Sequence, residues 1–191
     1  MSNFPDRVIR LFELVHPLDR IARAGYVLRG VTEPESVAAH SHFLALMVLL
    51  FCDEYPDQFN REKAVTMALI HDLPESQMMD IPVPSSERYL KDAKLAAEQH
   101  ILERLFEGFP EKYGAYNAEL DACETPEARL VQGLDKAQMM MKIVMYEREG
   151  RGRLKEFWAN PTNFKDYGLE PVSAFFDALC AAAGHPRPPQ P

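Results

Sequence analysis

The sequence predicts an all-α fold in a single domain. Apolar residues recur at helical spacing along nearly the whole chain, and no alternating apolar and polar run bounded by hairpin turns indicates a strand. The 15 prolines and nine glycines divide the chain into about eight helices. A length of 191 residues is typical of one domain. We therefore expect one compact helical bundle.

Prolines and capping residues set the boundaries of the first two helices. Pro17 ends the first helix, because a proline inside a helix removes a backbone hydrogen bond. The segment 25–33 is predicted to be a loop. Thr32 with Glu35 three residues later forms a capping box, in which each side chain satisfies a free backbone N–H, and this box opens the second helix.

Similar signals bound the later helices. Asn60 caps the third helix, and Pro74 ends or kinks it. Ser85 or Ser86 opens a long fourth helix, and Thr125 opens the sixth. The eight helices are expected at 5–15, 32–54, 60–72, 85–106, 110–122, 125–149, 154–158 and 170–183.

Composition and charge exclude several classes of protein. Asp and Glu outnumber Lys and Arg by 29 to 21, which gives a net charge of -8 and argues against binding to a nucleic acid polymer or an anionic membrane. The three cysteines form no Cys-x-x-Cys pair, so no zinc ribbon is expected. The longest apolar run, 43–52, is shorter than the about 20 residues that cross a bilayer, and no signal peptide is visible. We expect a cytoplasmic domain over 1–184 and a flexible Pro-rich tail over 185–191.

Four polar residues fall where buried residues are expected. His40 and Asp135 lie on the apolar faces of the second and sixth helices, and His71 lies on that of the third, directly before Asp72. A single inward histidine is more often a hydrogen-bonded core residue than a ligand, but a buried carboxylate is costly unless it is paired. Imidazole and carboxylate together suit Mn, Fe, Co, Ni or Zn. From the residues alone, two interpretations are equally good: the four side chains form a metal site, or they are separate residues of the core.

The order and spacing of these residues resemble a known signature. His40, the His71-Asp72 doublet and Asp135 are similar to the signature of the HD-domain metal-dependent phosphohydrolases. The surrounding blocks resemble the 5'-deoxynucleotidase branch of that family: Gly-Tyr-Val-x-Arg at 25–29, Pro-Glu-Ser-Val-Ala-x-His at 34–40, Ala-Leu-Ile-His-Asp-x-x-Glu at 68–75, Asp-Ile-Pro at 80–82 and Leu-Asp-Lys at 134–136. The similarity spans about residues 18–149.

The resemblance implies a fold, a cofactor and a reaction. It implies an all-helical HD domain, usually a homodimer, that hydrolyses deoxynucleoside 5'-monophosphates, which are small molecules rather than polymers. It implies one divalent metal ion, with Mn, Co, Fe, Ni, Zn and Mg as candidates. His40, His71, Asp72 and Asp135 are the expected ligands, and Asp72 and Glu75 are the expected catalytic residues.

The resemblance also suggests roles around the substrate. Glu75 is expected to orient a water or protonate the leaving oxygen, and its alternative is a solvated glutamate at a helix start. Asp80 accepts a hydrogen bond from the 3'-hydroxyl or is a loop or cap residue. Arg23 is expected to clamp the phosphate, with Arg29 as its competitor, and a surface charge is the alternative role for either arginine. Tyr26 stands near the sugar, where the family often has a larger tryptophan ring.

Two positions depart from the family pattern, and one pair fits two interpretations. Ala39 stands where relatives carry an acidic or polar residue, and Met79 where they often have glycine, so both changes bear on substrate choice. Lys94 and Glu98 fit a role at the site or a solvated ion pair one helical turn apart.

Two alternatives to the nucleotidase hypothesis remain. A hydrolase of (p)ppGpp would favour an acidic pair after the doublet, but Ser76 follows Glu75 here. A catalytically silent nucleotide-binding helical module is the other alternative, and the presence of all four expected ligands argues against it.

Overall fold

A computed structural model describes residues 3–82 and 85–189 of the chain, without the side chains of residues 86 and 87. Most of these residues lie in helices, and the only β contact among them is an isolated antiparallel bridge between Ala22 and Ser36. The all-α prediction is therefore confirmed. The helices are α1 Phe4–Val15, α2 Ala24–Val27, α3 Val37–Glu54, α4 Arg61–Ile70, α5 Glu75–Met78, α6 Ser85–Arg88, α7 Lys91–Leu105, α8 Lys112–Ala122, α9 Pro126–Arg148, α10 Lys155–Ala159 and α11 Glu170–Ala183.

Helix α9 forms the centre of the bundle. It contacts α3, α4, α8 and α11, and α3 also lies along α4. Thr125 caps its N-terminus by accepting from the Ala128 N–H at 3.4 Å. Pro126 fits the first turn because proline has no N–H, and a residue in the first turn donates no intrahelical hydrogen bond. Leu130, Leu134 and other apolar side chains of α9 are fully buried, so the helix fixes the relative positions of its neighbours.

Helix α3 begins at Val37, five residues later than the predicted range 32–54. Its N-cap is Ser36, whose hydroxyl accepts from the Ala39 N–H at 3.2 Å. The expected role of Glu35 in a box with Thr32 is wrong, because the buried Glu35 carboxylate bonds instead to Gln138 on α9. By length and composition α3 is the one described helix that could cross a membrane, a test that the core helix of a folded domain also passes.

The remaining differences from the predicted helices are short breaks and additions. The predicted loop over 25–33 begins with the α2 turn, and α5 adds one turn after Pro74. The expected long helix is divided into α6 and α7. The side chain of Ser86, one of its two predicted caps, lies outside the described residues. Helix α4 ends at Ile70, as the position of Pro74 predicts.

The segment after α11 contacts the bundle. His185 stacks on Trp158 with ring centroids 4.0 Å apart, and Arg187 donates to Asp166 and Asp177 at 2.9 and 3.0 Å. These contacts hold the first part of the predicted tail, whose residues 190 and 191 lie outside the described residues. The division of the chain at 184 and 185 stays a prediction.

Glu127, in the first turn of α9, ties that helix to the start of α4. Its Oε1 accepts from the Asn60 N–H at 2.8 Å, and its Oε2 lies 3.2 Å from Lys63 Nζ. Burial alone would raise the pKa of Glu127, but the Asn60 N–H and Lys63 outweigh it and hold that pKa below its ordinary value. A carboxyl whose pKa is lower in the folded chain stabilises the fold above its ordinary pKa.

We expect Glu127→Gln to lower the free energy of unfolding by about 1 kcal/mol at pH 7, because it removes a charge-assisted hydrogen bond. The difference from the unaltered protein should shrink as the pH falls through the depressed pKa of Glu127, where the carboxyl is protonated in both states. Urea denaturation at pH 7 and at successively lower pH measures both effects. Glu124→Gln, at an exposed position in the same segment, is the control and should change little. A pH-independent loss in Glu127→Gln would contradict the prediction.

Candidate functional site

The His71-Asp72 doublet lies where the chain leaves α4. His71 is the C-terminal cap of α4, and its Nδ1 donates to the Ala68 carbonyl at 2.9 Å, since a carbonyl oxygen only accepts. This bond directs Nε2 toward Asp72, whose Oδ2 is 3.1 Å away. Turns replace the helix over residues 71–74, the last of which is Pro74, so the adjacent side chains can converge.

His40 and Asp135 complete the cluster from α3 and α9. Nε2 of the fully buried His40 lies 3.3 Å from Nε2 of His71, 3.6 Å from Oδ2 of Asp72 and 3.1 Å from Oδ1 of Asp135. One ligand atom from each of His40, His71 and Asp72 lies within 4.8 Å of the others. The structure therefore brings together all four residues expected as ligands.

The donor atoms of this cluster fit a divalent metal. Nδ1 of His40 is 2.6 Å from Gln138 Oε1, and Nδ1 of His71 is bonded to Ala68, so both rings turn Nε2 toward the carboxylates. Two imidazole lone pairs and two carboxylates around one point repel each other unless positive charge is present. A mixed nitrogen and oxygen set of this kind suits first-row divalent metals.

Neighbouring charges keep the two carboxylates ionised. Burial would raise the pKa of Asp72, but His71 and Arg23 outweigh it and hold that pKa well below its usual range. Burial is outweighed in the same way at Asp135, where the charges of Lys136 and Arg23 help to hold the pKa well below its usual range. Burial opposes a charge on His71 too, yet Asp72 raises the pKa of that imidazole. Both carboxylates are therefore able to act as ligands at neutral pH.

Among the contacts described, Arg23 is the one arginine or lysine that lies within 4 Å of both carboxylates. Its Nη1 is 3.1 Å from Asp72 Oδ2, its Nη2 is 3.9 Å from Asp135 Oδ1, and its side chain is 17% exposed. Lys136 Nζ approaches the other oxygen of Asp135 at 3.4 Å. The guanidinium thus stands beside the cluster with a side open to the adjoining cavity, which it lines.

Glu75, one turn after the doublet, is buried without a partner for one oxygen. The residue is 4% exposed, and no hydrogen-bond partner lies near its Oε2 among the described residues. Burial, with the charges of Asp72 and Asp80, raises the pKa of Glu75 to about 10. This carboxyl is therefore a neutral proton donor at neutral pH, and it lines the same cavity as Arg23.

The cavity beside the cluster has a volume of about 410 Å³, within the range of small-molecule sites. Carboxylates, cations, amides and two aromatic rings share its wall, a mixture that suits a ligand with both charged and ring-shaped parts. Its lining residues are Arg23, Gly25, Tyr26, Arg29, Asp72, Glu75, Asp80, Ile81, Pro82, Lys94, Asp135, Lys136, Met139, Glu156, Phe157, Asn160 and Asn163.

Arg29 and Tyr26, both predicted at the substrate, line this cavity in different ways. Arg29 pairs with Glu156 and lies over the Phe157 ring, with 5.5 Å from its Cζ to the ring centroid. Tyr26 is 2% exposed, and its hydroxyl donates to the Met139 carbonyl at 3.3 Å. Tyr26 therefore contributes a fixed wall, while Arg29 carries its charge at the cavity surface.

Asp80 and the residue before it shape the same wall. Oδ2 of Asp80 accepts from the Ala24 N–H at 2.6 Å, which fits the cap role that was the alternative to sugar binding. Asp80 also lines the cavity, so its second oxygen is available to accept a hydrogen bond from a ligand. Met79 adopts φ 68° and ψ 166°, backbone that favours glycine and that stores about 1–3 kcal/mol of strain in other residues.

Sequence reasoning missed part of the cavity wall. Phe157, Asn160 and Asn163 come from α10 and the turn after it, a segment in which no motif marks a site. Lys94 does line the cavity, and it also pairs with Glu98, so the structure combines the two interpretations of that pair.

The chain matches the sequence model of the HD domain family over residues 15–166. The zebrafish (Danio rerio) protein named 5'-deoxynucleotidase HDDC2 is 32% identical over 161 residues, which cover 81% of this chain and 78% of the relative. The human (Homo sapiens) protein of the same name is 29% identical over 157 residues, which cover 79% and 74%. The region that the family model matches, residues 15–166, includes all four residues expected to bind the metal.

Solved structures show the same fold. A conserved protein from Pyrococcus furiosus superposes with a TM-score of 0.76 and 32% identity, covering 92% of this chain and 98% of its own. A protein from Pyrococcus horikoshii gives a TM-score of 0.75 and 32% identity over the same shares of the two chains. With its four-residue cluster, its helical bundle and these matches, the chain belongs to the HD domain family, as a relative of the proteins named 5'-deoxynucleotidase.

Proposed function

We propose that this protein hydrolyses deoxynucleoside 5'-monophosphates, and ribonucleotides to an extent that Tyr26 sets, to a nucleoside and phosphate with one divalent metal ion. The observation that carries the proposal is the convergence of His40, His71, Asp72 and Asp135 beside a cavity of about 410 Å³. The relatives named 5'-deoxynucleotidase support the substrate class.

His40, His71, Asp72 and Asp135 would hold the metal. A divalent metal bound there polarises the phosphate and lowers the pKa of a bound water. The charges of the two carboxylates are then balanced by the cation, which lowers the repulsion that a phosphate would otherwise meet.

Arg23 is the better placed of the two candidate phosphate clamps. Its guanidinium contacts Asp72 at 3.1 Å and lines the cavity, so a phosphate beside the cluster lies within its reach. A planar guanidinium binds phosphate oxygens in pairs. Arg29 is already paired with Glu156 and stacked on Phe157, which suits a role farther along the ligand.

Glu75 would deliver a proton or position a water. Its carboxyl is neutral at neutral pH and buried, and its Oε2 has no hydrogen-bond partner among the described residues, so a residue that lines the cavity keeps an unused hydrogen-bonding atom. Hydrolysis of a phosphate ester consumes one water and leaves the nucleoside oxygen needing a proton. Glu75 is the described residue of the cavity best suited to supply it.

We expect the purified protein to release inorganic phosphate from deoxynucleoside monophosphates only when a divalent metal is present. His71→Ala or Asp72→Ala should lower both metal retention and turnover by more than about 100-fold. Removing a residue that binds the metal directly should weaken binding more than removing a residue that only orients such a ligand. A phosphate-release assay over deoxynucleotides, ribonucleotides, (p)ppGpp and cyclic dinucleotides, each with several metals, measures this.

His42→Ala is the matched control for these variants. His42 lies on α3 two residues from His40, but it is exposed and packs on Phe43. Its loss should leave turnover and metal binding unchanged. Full activity after exhaustive chelation, or in Asp72→Ala, would overturn the proposed function, and release from (p)ppGpp alone would replace it with the other hydrolase.

Glu75→Gln tests the role of the buried carboxyl. The change keeps the shape of the side chain and removes the proton that the acid can donate, so we expect turnover to fall about 100-fold or more. Binding of Mn²⁺, measured by isothermal titration calorimetry, should stay near that of the unaltered protein, because Glu75 is not among the four proposed ligands. Turnover equal to that of the unaltered protein would rule out this role.

The homodimer implied by the resemblance is also a proposal. Phe43, Leu46 and Leu50 form an apolar row along α3, and each is 44–59% exposed. Such a row suits the same face of a second copy. The cytoplasmic location stays a prediction.

Light scattering should give twice the 21.8 kDa mass of one chain. Leu50→Glu should shift the protein toward the monomer, because it places a charge in the apolar row. Leu28→Glu, at another exposed leucine, should leave the dimer intact. A monomer in the unaltered protein at micromolar concentration would refute the dimer.

A further inference from the structure

A buried chain of hydrogen bonds extends from His40 away from the cavity. Gln138 Oε1 lies 2.6 Å from His40 Nδ1, and Gln138 Nε2 donates to the Glu35 carboxylate at 3.1 and 3.3 Å. All three residues are less than 9% exposed, and His40 is fully buried. None of these bonds is part of the four-residue cluster, so the chain is a separate feature of the site.

Helix α9 holds Glu35 by one face. Gln138, Lys142 and Tyr146 follow each other at intervals of one helical turn. Lys142 Nζ is 3.8 Å from Glu35 Oε2, and the Glu35 backbone N–H donates to the Tyr146 hydroxyl at 2.8 Å. Three consecutive turns of one helix thus fix both the backbone and the carboxylate of Glu35.

The donor and acceptor types along this chain allow one arrangement. A carboxylate only accepts, so the Gln138 side chain must turn its NH₂ group toward Glu35 and its oxygen toward His40. An amide oxygen also only accepts, so the proton of the neutral His40 ring must sit on Nδ1. Nε2, the atom that faces Asp135, is then left with its lone pair.

We propose that Glu35 and Gln138 are positioning residues, in which Glu35 fixes the orientation of the Gln138 amide and Gln138 holds His40 with its proton on Nδ1 and Nε2 free to bind a metal. The proposal rests on the ligand role of His40 in the proposed function. It adds two residues that touch neither substrate nor metal. His71 has a simpler version of the same arrangement, in which the Ala68 backbone carbonyl takes the part of Gln138.

The position of the His40 proton is the first measurement. In the metal-free protein with ¹⁵N-labelled histidine, long-range ¹H–¹⁵N spectra should show His40 with its proton on Nδ1, with its signals assigned by their loss in His40→Gln. In Glu35→Gln, residue 35 both donates and accepts, so the Gln138 amide can rotate. The His40 signals should then move toward the form with the proton on Nε2. This readout needs neither metal nor substrate.

Metal affinity is the second measurement. We expect Glu35→Gln and Gln138→Met to weaken Mn²⁺ binding by about 10–100-fold in isothermal titration calorimetry, the usual effect of removing an outer partner of a ligating histidine. Should Gln138→Met fail to fold, Glu35→Gln carries the test. Glu127→Gln is the matched control: it is the same chemical change at a buried residue of α9, distant in sequence from Gln138, and should leave both readouts unchanged.

A double variant tests the order of donors and acceptors directly. With Glu35→Gln and Gln138→Glu together, the carboxylate at 138 accepts from both the His40 Nδ1–H and the amide at 35. The total charge is unchanged, and Nδ1 should again carry the proton. We expect this variant to recover most of the Mn²⁺ affinity that Glu35→Gln loses, which simple damage to packing would not allow.

The proposal is overturned if Nδ1 of His40 carries no proton in the unaltered protein, or if Glu35→Gln leaves both the proton position and the Mn²⁺ affinity unchanged. It is also overturned if the double variant binds Mn²⁺ no better than Glu35→Gln. A protein with normal Mn²⁺ binding and no phosphate release would instead overturn the proposed function and leave this inference intact.

Discussion

Two carboxylates held largely away from water, Asp72 and Asp135, are the constraint on which the site depends. An ionised carboxylate loses several kcal/mol of hydration on burial unless opposite charge replaces it. Arg23 and Lys136 replace part of that hydration through contacts of 3.1–3.9 Å. The imidazole of His40 turns a lone pair toward the same point and adds to the negative potential. The geometry therefore combines electron-rich groups that a divalent cation would bring into balance.

Two features of the chain make this arrangement compatible with a helical fold. Pro74 stops α4, so the doublet leaves the helix and its side chains converge, which they would not do about 100° apart on a continuing helix. Helix α9 continues without a break past Asp135 to Tyr146, so one rigid element carries a candidate ligand and the row that holds Glu35. The site thus combines α4, which ends at the doublet, with α9, which continues past Asp135.

The sequence allowed prediction of what depends on local spacing. The end of α4 ahead of Pro74, the start of α9 after Thr125 and the inward positions of His40 and Asp135 follow from capping and helical period, and the structure has them. Periodicity fixes the phase of a single helix but not the placement of one helix against another, so the meeting of three faces required the resemblance or the structure. The capping box failed at Glu35 because a tertiary bond to Gln138 outweighed a local one.

Glu35 and Glu75 show how the same buried side chain serves opposite purposes. Glu35 is held by Gln138, Lys142 and Tyr146, contacts that favour a fixed carboxylate and a rigid orientation. Glu75 lines the cavity and lacks a partner at one oxygen, and burial beside Asp72 raises its pKa, so it keeps a proton and an unused hydrogen-bonding atom. A buried polar group whose hydrogen bonds are all made is held rigidly. A polar group that lacks a partner and lines a cavity can still form a hydrogen bond with a ligand. The net charge of -8 therefore says little about phosphate binding. A phosphate is affected by the charges near the site, where Glu75 is neutral and cations offset the charges of Asp72 and Asp135.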